Sequence, residues 1–266
     1  MHGRVALAVV PLAFLTAAPA RVAPSPAPIK TADVEYRQGA TVLRGFVAWD
    51  DAAAGKRPGV LIVHEWWGLT DNIRAQARRL AEAGYMGFAL DMYGDGKFAT
   101  HPDDAKAWMA EVTKDPATIA ARFNAGLARL KQDPHVDTTR LAAIGYCFGG
   151  GVVLAMARAG VDLDAVATFH GMLATQSPAK PGAIKARVLA LTGGADPFVP
   201  AEQVEAFKKE MQAAGARFEV VSYPGAKHGF TNPSAGTYGM AALAYDSTAD
   251  RQSWAALLKM LGEVFR

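Results

Sequence analysis

The sequence predicts an α/β fold with a mostly parallel central sheet and helices on both faces. Three observations predict it. Short apolar runs (Gly59–Val63, Leu141–Tyr146, Ala165–Phe169, Ala186–Thr192) carry the unbroken hydrophobicity of strands buried on both sides. Segments of helical periodicity lie between them, and strands alternating with helices build parallel sheets. Ionisable residues gather where the runs stop, the edge at which open parallel sheets bind ligands.

Composition narrows the field. With 266 residues and 51% hydrophobic content the chain can bury a large core, and one domain of about 240 residues (31–266) is usual for α/β folds. A net charge of +3, with no basic run or aromatic–basic alternation, leaves nucleic-acid binding unsupported. Met1-His2-Gly3-Arg4 is a positive start, Val5–Ala17 an apolar segment and Ala18-Pro19-Ala20 a small-residue cleavage site. That is the plan of a secretory signal peptide over 1–20, too short for a spanning helix. Cleavage after Ala20 and a periplasmic or secreted product are expected; the alternative is an uncleaved N-terminal anchor. No cysteine lies near the site and no twin-arginine pair precedes the apolar run, so general secretory export is favoured. Arg21–Lys30 (RVAPSPAPIK) is a Pro-rich spacer, expected to be extended and poorly ordered. The single cysteine cannot form an internal disulfide, and in an oxidising compartment an odd thiol is a liability unless buried or used.

Val34–Tyr36 and Thr41–Ala48, separated by Gln38-Gly39-Ala40, suggest an antiparallel hairpin. The apolar strand Gly59–Val63 ends in His64-Glu65-Trp66-Trp67-Gly68-Leu69. Thr70 or Asp71 is placed to cap a helix to about Ala83, with Ile73, Ala77, Leu80 and Ala81 on its inner face. Tyr85–Leu90 is a strand ending at Asp91-Met92-Tyr93-Gly94-Asp95-Gly96, and Pro102–Val112 and Ala117–Leu130 are helical. Leu141–Tyr146 is a strand whose turn feeds a helix over Phe148–Ala159. Ala165–Phe169 ends at His170-Gly171, and Ala186–Thr192 at Gly193-Gly194-Ala195-Asp196-Pro197. Helix Ala201–Ala213 precedes the last strand, Phe218–Tyr223, and Ser247–Phe265 closes the chain as an amphipathic helix. His64, Glu65, Asp91, Cys147, His170, Asp196 and His228 are all expected within a residue or two of a strand C-terminus.

The turn Gly145-Tyr146-Cys147-Phe148-Gly149-Gly150 has the form of the G-x-S-x-G nucleophile elbow of α/β-hydrolases, with a thiol in place of the hydroxyl. A cysteine there sits at a helix N-terminus, whose partial positive charge favours thiolate. The alternative is a structural cysteine on a glycine-rich turn, free Cys being among the most buried residue types. A thiol nucleophile needs a base and a carboxylate to orient it. The order Cys147, Asp196, His228 is nucleophile, acid, histidine, the order of α/β-hydrolases. The N–H groups of Phe148 and Trp66 are the expected oxyanion donors. His64 reads as a hydrogen-bonded structural residue and His170 as a competing, lower-ranked base. His64, Glu65, His170, Asp196 and His228 lack H-E-x-x-H or paired-His spacing, so no metal is expected.

Cys147 in GYCFGGG, Asp196 in GGADPFVP, His228 in GAKHGF and Glu65 in HEWWGL together resemble the dienelactone hydrolase family, α/β-hydrolases with a Cys-His-Asp triad. The resemblance covers most of the chain after Pro58, including DMYGDGK at Asp91–Lys97. It implies that Glu65 contacts the resting thiol and that substrate binding releases the thiolate to attack a lactone carbonyl. Two arginines grip the dienelactone carboxylate in members that break down chloroaromatics, one just after the D-x-Y and one four residues past the histidine. Here those regions read Tyr93-Gly94-Asp95 and Thr231-Asn232, with Lys97 the candidate substitute for one of them. Dienelactone itself is therefore not the expected substrate, and an exported protein departs from a cytoplasmic pathway.

The expectation is an exported, cofactor-free hydrolase of an ester or lactone, monomeric or weakly dimeric, working through an acyl-enzyme. Cys147 attacks, His228 shuttles the proton, Asp196 orients His228 and Glu65 tunes the thiol. Trp67, Tyr93, Lys97, His170 and Phe230 are expected around the substrate. The rivals are a general carboxylesterase of another substrate class and a non-catalytic periplasmic binding or redox-sensing protein on the same fold.

Overall fold

The structure is a computed structural model that describes residues 29–266. The expected signal peptide and residues 21–28 of the spacer lie outside the described residues. The described residues open with an antiparallel hairpin, β1 (Ile29–Gln38) and β2 (Thr41–Asp50), which turns at Gly39 with φ +57°. Ile29 and Lys30 pair with Asp50 and Trp49, so the strand claims two residues that composition assigned to the spacer. Then follow β3 (Arg57–Val63), α1 (Asp71–Glu82), β4 (Met86–Leu90), α2 (Pro102–Thr113), α3 (Pro116–Lys131) and β5 (Val136–Tyr146). The remainder is α4 (Phe148–Arg158), β6 (Ala165–Phe169), β7 (Arg187–Gly193), α5 (Ala201–Ala213), β8 (Phe218–Tyr223) and α6 (Ser247–Val264).

The strands form one sheet of eight in the order β1-β2-β4-β3-β5-β6-β7-β8. The hairpin pairs antiparallel with β4, and every neighbour from β4 to β8 is parallel. Phe123, Leu127 and Leu130 of α3, Val152 and Val153 of α4 and Phe207 and Met211 of α5 pack on one face. Ile73, Ala77 and Leu80 of α1 and Leu257, Met260 and Leu261 of α6 pack on the other. Both faces are covered, which is why β3, β4 and β6 are buried at every position and read as unbroken apolar runs. This is the α/β-hydrolase architecture.

Local chemistry explains the helix starts. Asp115 caps α3 by accepting the Ala117 N–H at 2.9 Å, and Asp246 caps α6 by accepting those of Thr248 and Ala249. Thr70 occupies the N-cap of α1, but its side chain makes no capping bond. Strand β5 starts at Val136, earlier than expected, because Arg57 and Pro58 of β3 pair with Val136 and Asp137 before a register shift. The polar stretch Asp137–Arg140 hides this extension from an apolar-run argument. A short 3-10 helix, Ala235–Tyr238, was also without a sequence signal.

His64, Asp91, Cys147 and His170 directly follow β3, β4, β5 and β6. Asp196 and His228 lie farther from their strands than expected, on the loops after β7 and β8.

Candidate active site

The β5–α4 turn holds Cys147 at φ 53° and ψ −115°, a conformation that costs an L-residue energy and that the surroundings must enforce. The glycines make it reachable. A Cβ on Gly145 would strike the Gly149 carbonyl, and one on Gly149 would strike the Val63 carbonyl. The turn is tied down by Cys147 N–H to Phe169 O at 3.0 Å and Gly149 N–H to His64 O at 3.1 Å. Helix α4 starts at the next residue, so the thiol stands at its N-terminus.

His228 reaches this thiol from the loop after β8. Its Nδ1 lies 2.8 Å from Asp196 Oδ2, and the Asp196 side chain is wholly buried. With Nδ1 committed, Nε2 is the nitrogen left to meet Cys147, which borders the same cavity. Burial works to lower the His228 pKa. The Cys147 charge and hydrogen bond, with those of Asp196, outweigh it and raise the value to about 10. Phe198, whose N–H donates to Asp196 Oδ1 at 2.9 Å, stands edge-on to the His228 ring.

Glu65 is 3% exposed. Its Oε2 accepts the Asn232 amide at 2.8 Å and the Asn72 amide at 3.5 Å. Burial raises its pKa to about 7, against the lowering effects of His228 and the two amides. His64 accepts the Met92 N–H at Nε2, so its Nδ1 carries the proton and donates to the Glu65 carbonyl at 2.6 Å. This neutral ring, held there by burial that lowers its pKa, ties the β3 loop to the β4 loop. Asp91 organises the β4 loop, its carboxylate accepting the N–H groups of Arg44, Tyr93, Gly94 and Gly96.

The backbone N–H groups of Trp66 and Phe148 find no acceptor among the described residues, and both residues border the cavity that holds Cys147 and His228. That cavity measures about 260 Å³. Among the described residues no three His, Cys, Asp or Glu side chains are grouped to hold a metal ion.

The dienelactone hydrolase family model matches residues 43–265. The chain belongs to the dienelactone hydrolase family. Protein usf of Aquifex pyrophilus is 31% identical over 205 residues, covering 75% of this chain and 86% of that protein. A Salmonella typhimurium protein named "Putative carboxymethylenebutenolidase" is 32% identical over 232 residues, covering 80% of this chain and 85% of its own length. The crystal structure of the dienelactone hydrolase-like promiscuous phosphotriesterase P91, from metagenomic libraries, superposes with a TM-score of 0.83 at 36% identity. It covers 89% of this chain and 98% of that one. This member of the dienelactone hydrolase family is therefore a hydrolase acting on a small-molecule ester or lactone. Among the described residues no helix is long and apolar enough to cross a membrane.

Two expectations drawn from the sequence meet a different arrangement in this dienelactone hydrolase relative. The family resemblance put Glu65 on the resting thiol; here its carboxyl takes the Asn232 and Asn72 amides, and Cys147 pairs with His228. A buried carboxyl needs N–H donors, and the amides supply them. The residues expected around the substrate do not line the cavity. Trp67 is 2% exposed and stacks on Tyr238 at 3.9 Å. Tyr93 stacks on Phe148 and donates its hydroxyl to the Trp66 carbonyl. The Lys97 ammonium lies over the Trp108 ring. His170 is buried, bonds Thr231 Oγ1 through Nε2, and packs with Phe230 behind His228. Burial and the His228 charge hold the His170 pKa well below 6.5, so the ring is a poor base. The walls are instead Met109, Met172, Phe198, Met240 and Leu243. Phe198 and Met172 were findable, each standing two residues past a strand-end candidate, Asp196 and His170. Met240 and Leu243 follow the unsignalled 3-10 helix.

Proposed function

We propose that the protein hydrolyses its ester or lactone with Cys147 as nucleophile, through a covalent acyl-enzyme. The observation that supports this most is the placement of His228 between the Asp196 carboxylate and the Cys147 thiol at the floor of the cavity. The sulfur attacks the carbonyl carbon, and the carbonyl oxygen becomes an oxyanion stabilised by the Trp66 and Phe148 N–H groups. The His228 imidazolium protonates the departing alkoxide, which leaves with an ester and stays tethered with a lactone. The neutral imidazole then takes a proton from water, whose oxygen attacks the thioester and releases the acid and the thiolate. Asp196 keeps the imidazole oriented with Nε2 toward both sulfur and water. The role of Glu65 is electrostatic. A carboxyl with a pKa near 7 is often protonated at neutral pH, which spares the adjacent oxyanion loop a full negative charge.

Wild type and Cys147→Ala are compared on p-nitrophenyl acetate and a small lactone panel, with mass spectrometry of the protein during turnover. Activity lost with the thiol, and a transient acyl adduct on Cys147, are expected. A variant keeping more than about a tenth of the activity would place the nucleophile elsewhere. An adduct that never releases would favour the binding or sensing role.

Export is proposed as well, supported by the charged, apolar and small-residue pattern of Met1–Ala20. The periplasmic protein should begin at Arg21; a full-length mass in the cytosol would overturn this.

A further inference from the structure

The surface around the thiol carries more information than its reactivity. Apart from Cys147 and His228, the cavity is bounded by Trp, Phe, Met and Leu side chains, and its lining is apolar throughout. Apart from the Trp66 and Phe148 N–H groups, which serve the carbonyl oxygen of the reacting group, nearby polar side chains are committed elsewhere. The Asn232 amide is on Glu65, and the Tyr93 hydroxyl is on the Trp66 carbonyl. Lys97 lies over Trp108. Two of the large apolar side chains most exposed among the described residues, Met172 at 46% and Phe198 at 40%, stand at the cavity. Exposed apolar groups gathered at a cleft mark a surface that is covered when a ligand is bound.

A carboxylate entering here would lose its water, and the His228 imidazolium at the cavity is already balanced by the Asp196 carboxylate and the Cys147 charge. At about 260 Å³ the cavity falls below the usual range of roughly 300–1,000 Å³ for drug-sized ligands.

We infer that the substrate is an uncharged ester or lactone with a short apolar acyl group, selected by Met172 and Phe198 against substrates bearing a carboxylate. This inference rests on the assignment of Cys147 as the attacking group. The methionines suit the task, because their flexible thioethers adapt to apolar shapes without hydrogen-bond demands.

The test compares kcat/KM for p-nitrophenyl pentanoate and mono-p-nitrophenyl succinate, which are close in size and differ in charge. The neutral ester should be favoured by at least about 100-fold, as expected when a buried charge has no partner. Met172→Arg, which adds a cation beside the cavity, should narrow the gap by at least about tenfold through faster succinate turnover. Equal kcat/KM on the two esters, with turnover still lost in Cys147→Ala, would overturn the inference and leave the cysteine mechanism standing. If wild type is inert on both, the mechanism fails instead, and the pocket is read through binding. Cys147→Ala is then titrated with 2-hexanone and with 4-oxopentanoate by NMR. Preference for the ketone supports the inference; equal binding, or preference for the anion, overturns it.

Discussion

Asn232 donates its side-chain amide to Glu65 Oε2 at 2.8 Å, joining the loop that carries His228 to the loop that carries Trp66. The bond sits in a well-braced turn. Asn232 N–H donates to Gly229 O, its Oδ1 accepts the Ser234 N–H, and the adjacent Thr231 hydroxyl meets His170. It occupies the position at which some family members have an arginine for the substrate, and here its amide is spent on the protein's own carboxyl.

Asn232→Ala should leave Glu65 with the long Asn72 contact alone. An unsatisfied buried acceptor costs about 1–3 kcal/mol, and a urea melt at pH 8, where Glu65 is ionised, should show a loss of that order. An unchanged melt would mean that the amide does not hold the carboxyl.

Glu65 also predicts a pH dependence. Its folded pKa, about 7, lies above the ordinary value of 4.5, so the folded state binds more protons between those values. Stability from this group therefore falls as pH rises from about 4.5 to 7, by at most about 1.4 kcal/mol per pH unit. Glu65→Gln should flatten that slope in melts across the window. An identical slope would assign the pH dependence to other groups.

His228 works with the same sign in a higher pH window. Its pKa is raised above 6.5 to about 10, so its contribution is in full below about pH 6.5 and is lost as pH rises toward 10. The Cys147 charge is the largest of the effects that raise it. ¹⁵N NMR of the His228 ring should show imidazolium through pH 8 in wild type and a markedly lower pKa in Cys147→Ala. The same titration in both proteins would dismiss the sulfur–imidazolium pairing.

The elbow predicts a contrast between near neighbours. A Cβ on Gly149 meets the Val63 carbonyl, which is backbone and cannot yield, whereas one on Gly151 meets Met172 only at 3.9 Å. Gly149→Ala should lower Tm sharply or abolish folding. Gly151→Ala, within α4, should match wild type or gain up to about 1 kcal/mol. Equal melts for the two variants would remove the close-approach argument.

The parallel core was legible because strands buried on both faces must be apolar throughout, as Leu61, Phe88 and Ala167 are. The elbow was legible because its geometry tolerates no Cβ at Gly145 or Gly149, which forces the glycine spacing into the sequence. The start of β5 was not, since Asp137–Arg140 pair or extend at the sheet's end without burying an apolar face. The cavity walls were not legible either. Met109 on α2 and Leu243 beyond the 3-10 helix carry no local mark of facing the same thiol.

The sequence by itself determined the elements, their alternation and the strand-end residues, because periodicity and turn chemistry act over a few neighbouring positions. Only the tertiary structure decided the partners. Cys147 meets His228, Glu65 meets Asn232 across 167 positions of chain, and five apolar side chains from four segments far apart in sequence close on the thiol. Those contacts depend on how the sheet's twist and the packed helices orient loops far apart in sequence. No local pattern encodes that orientation.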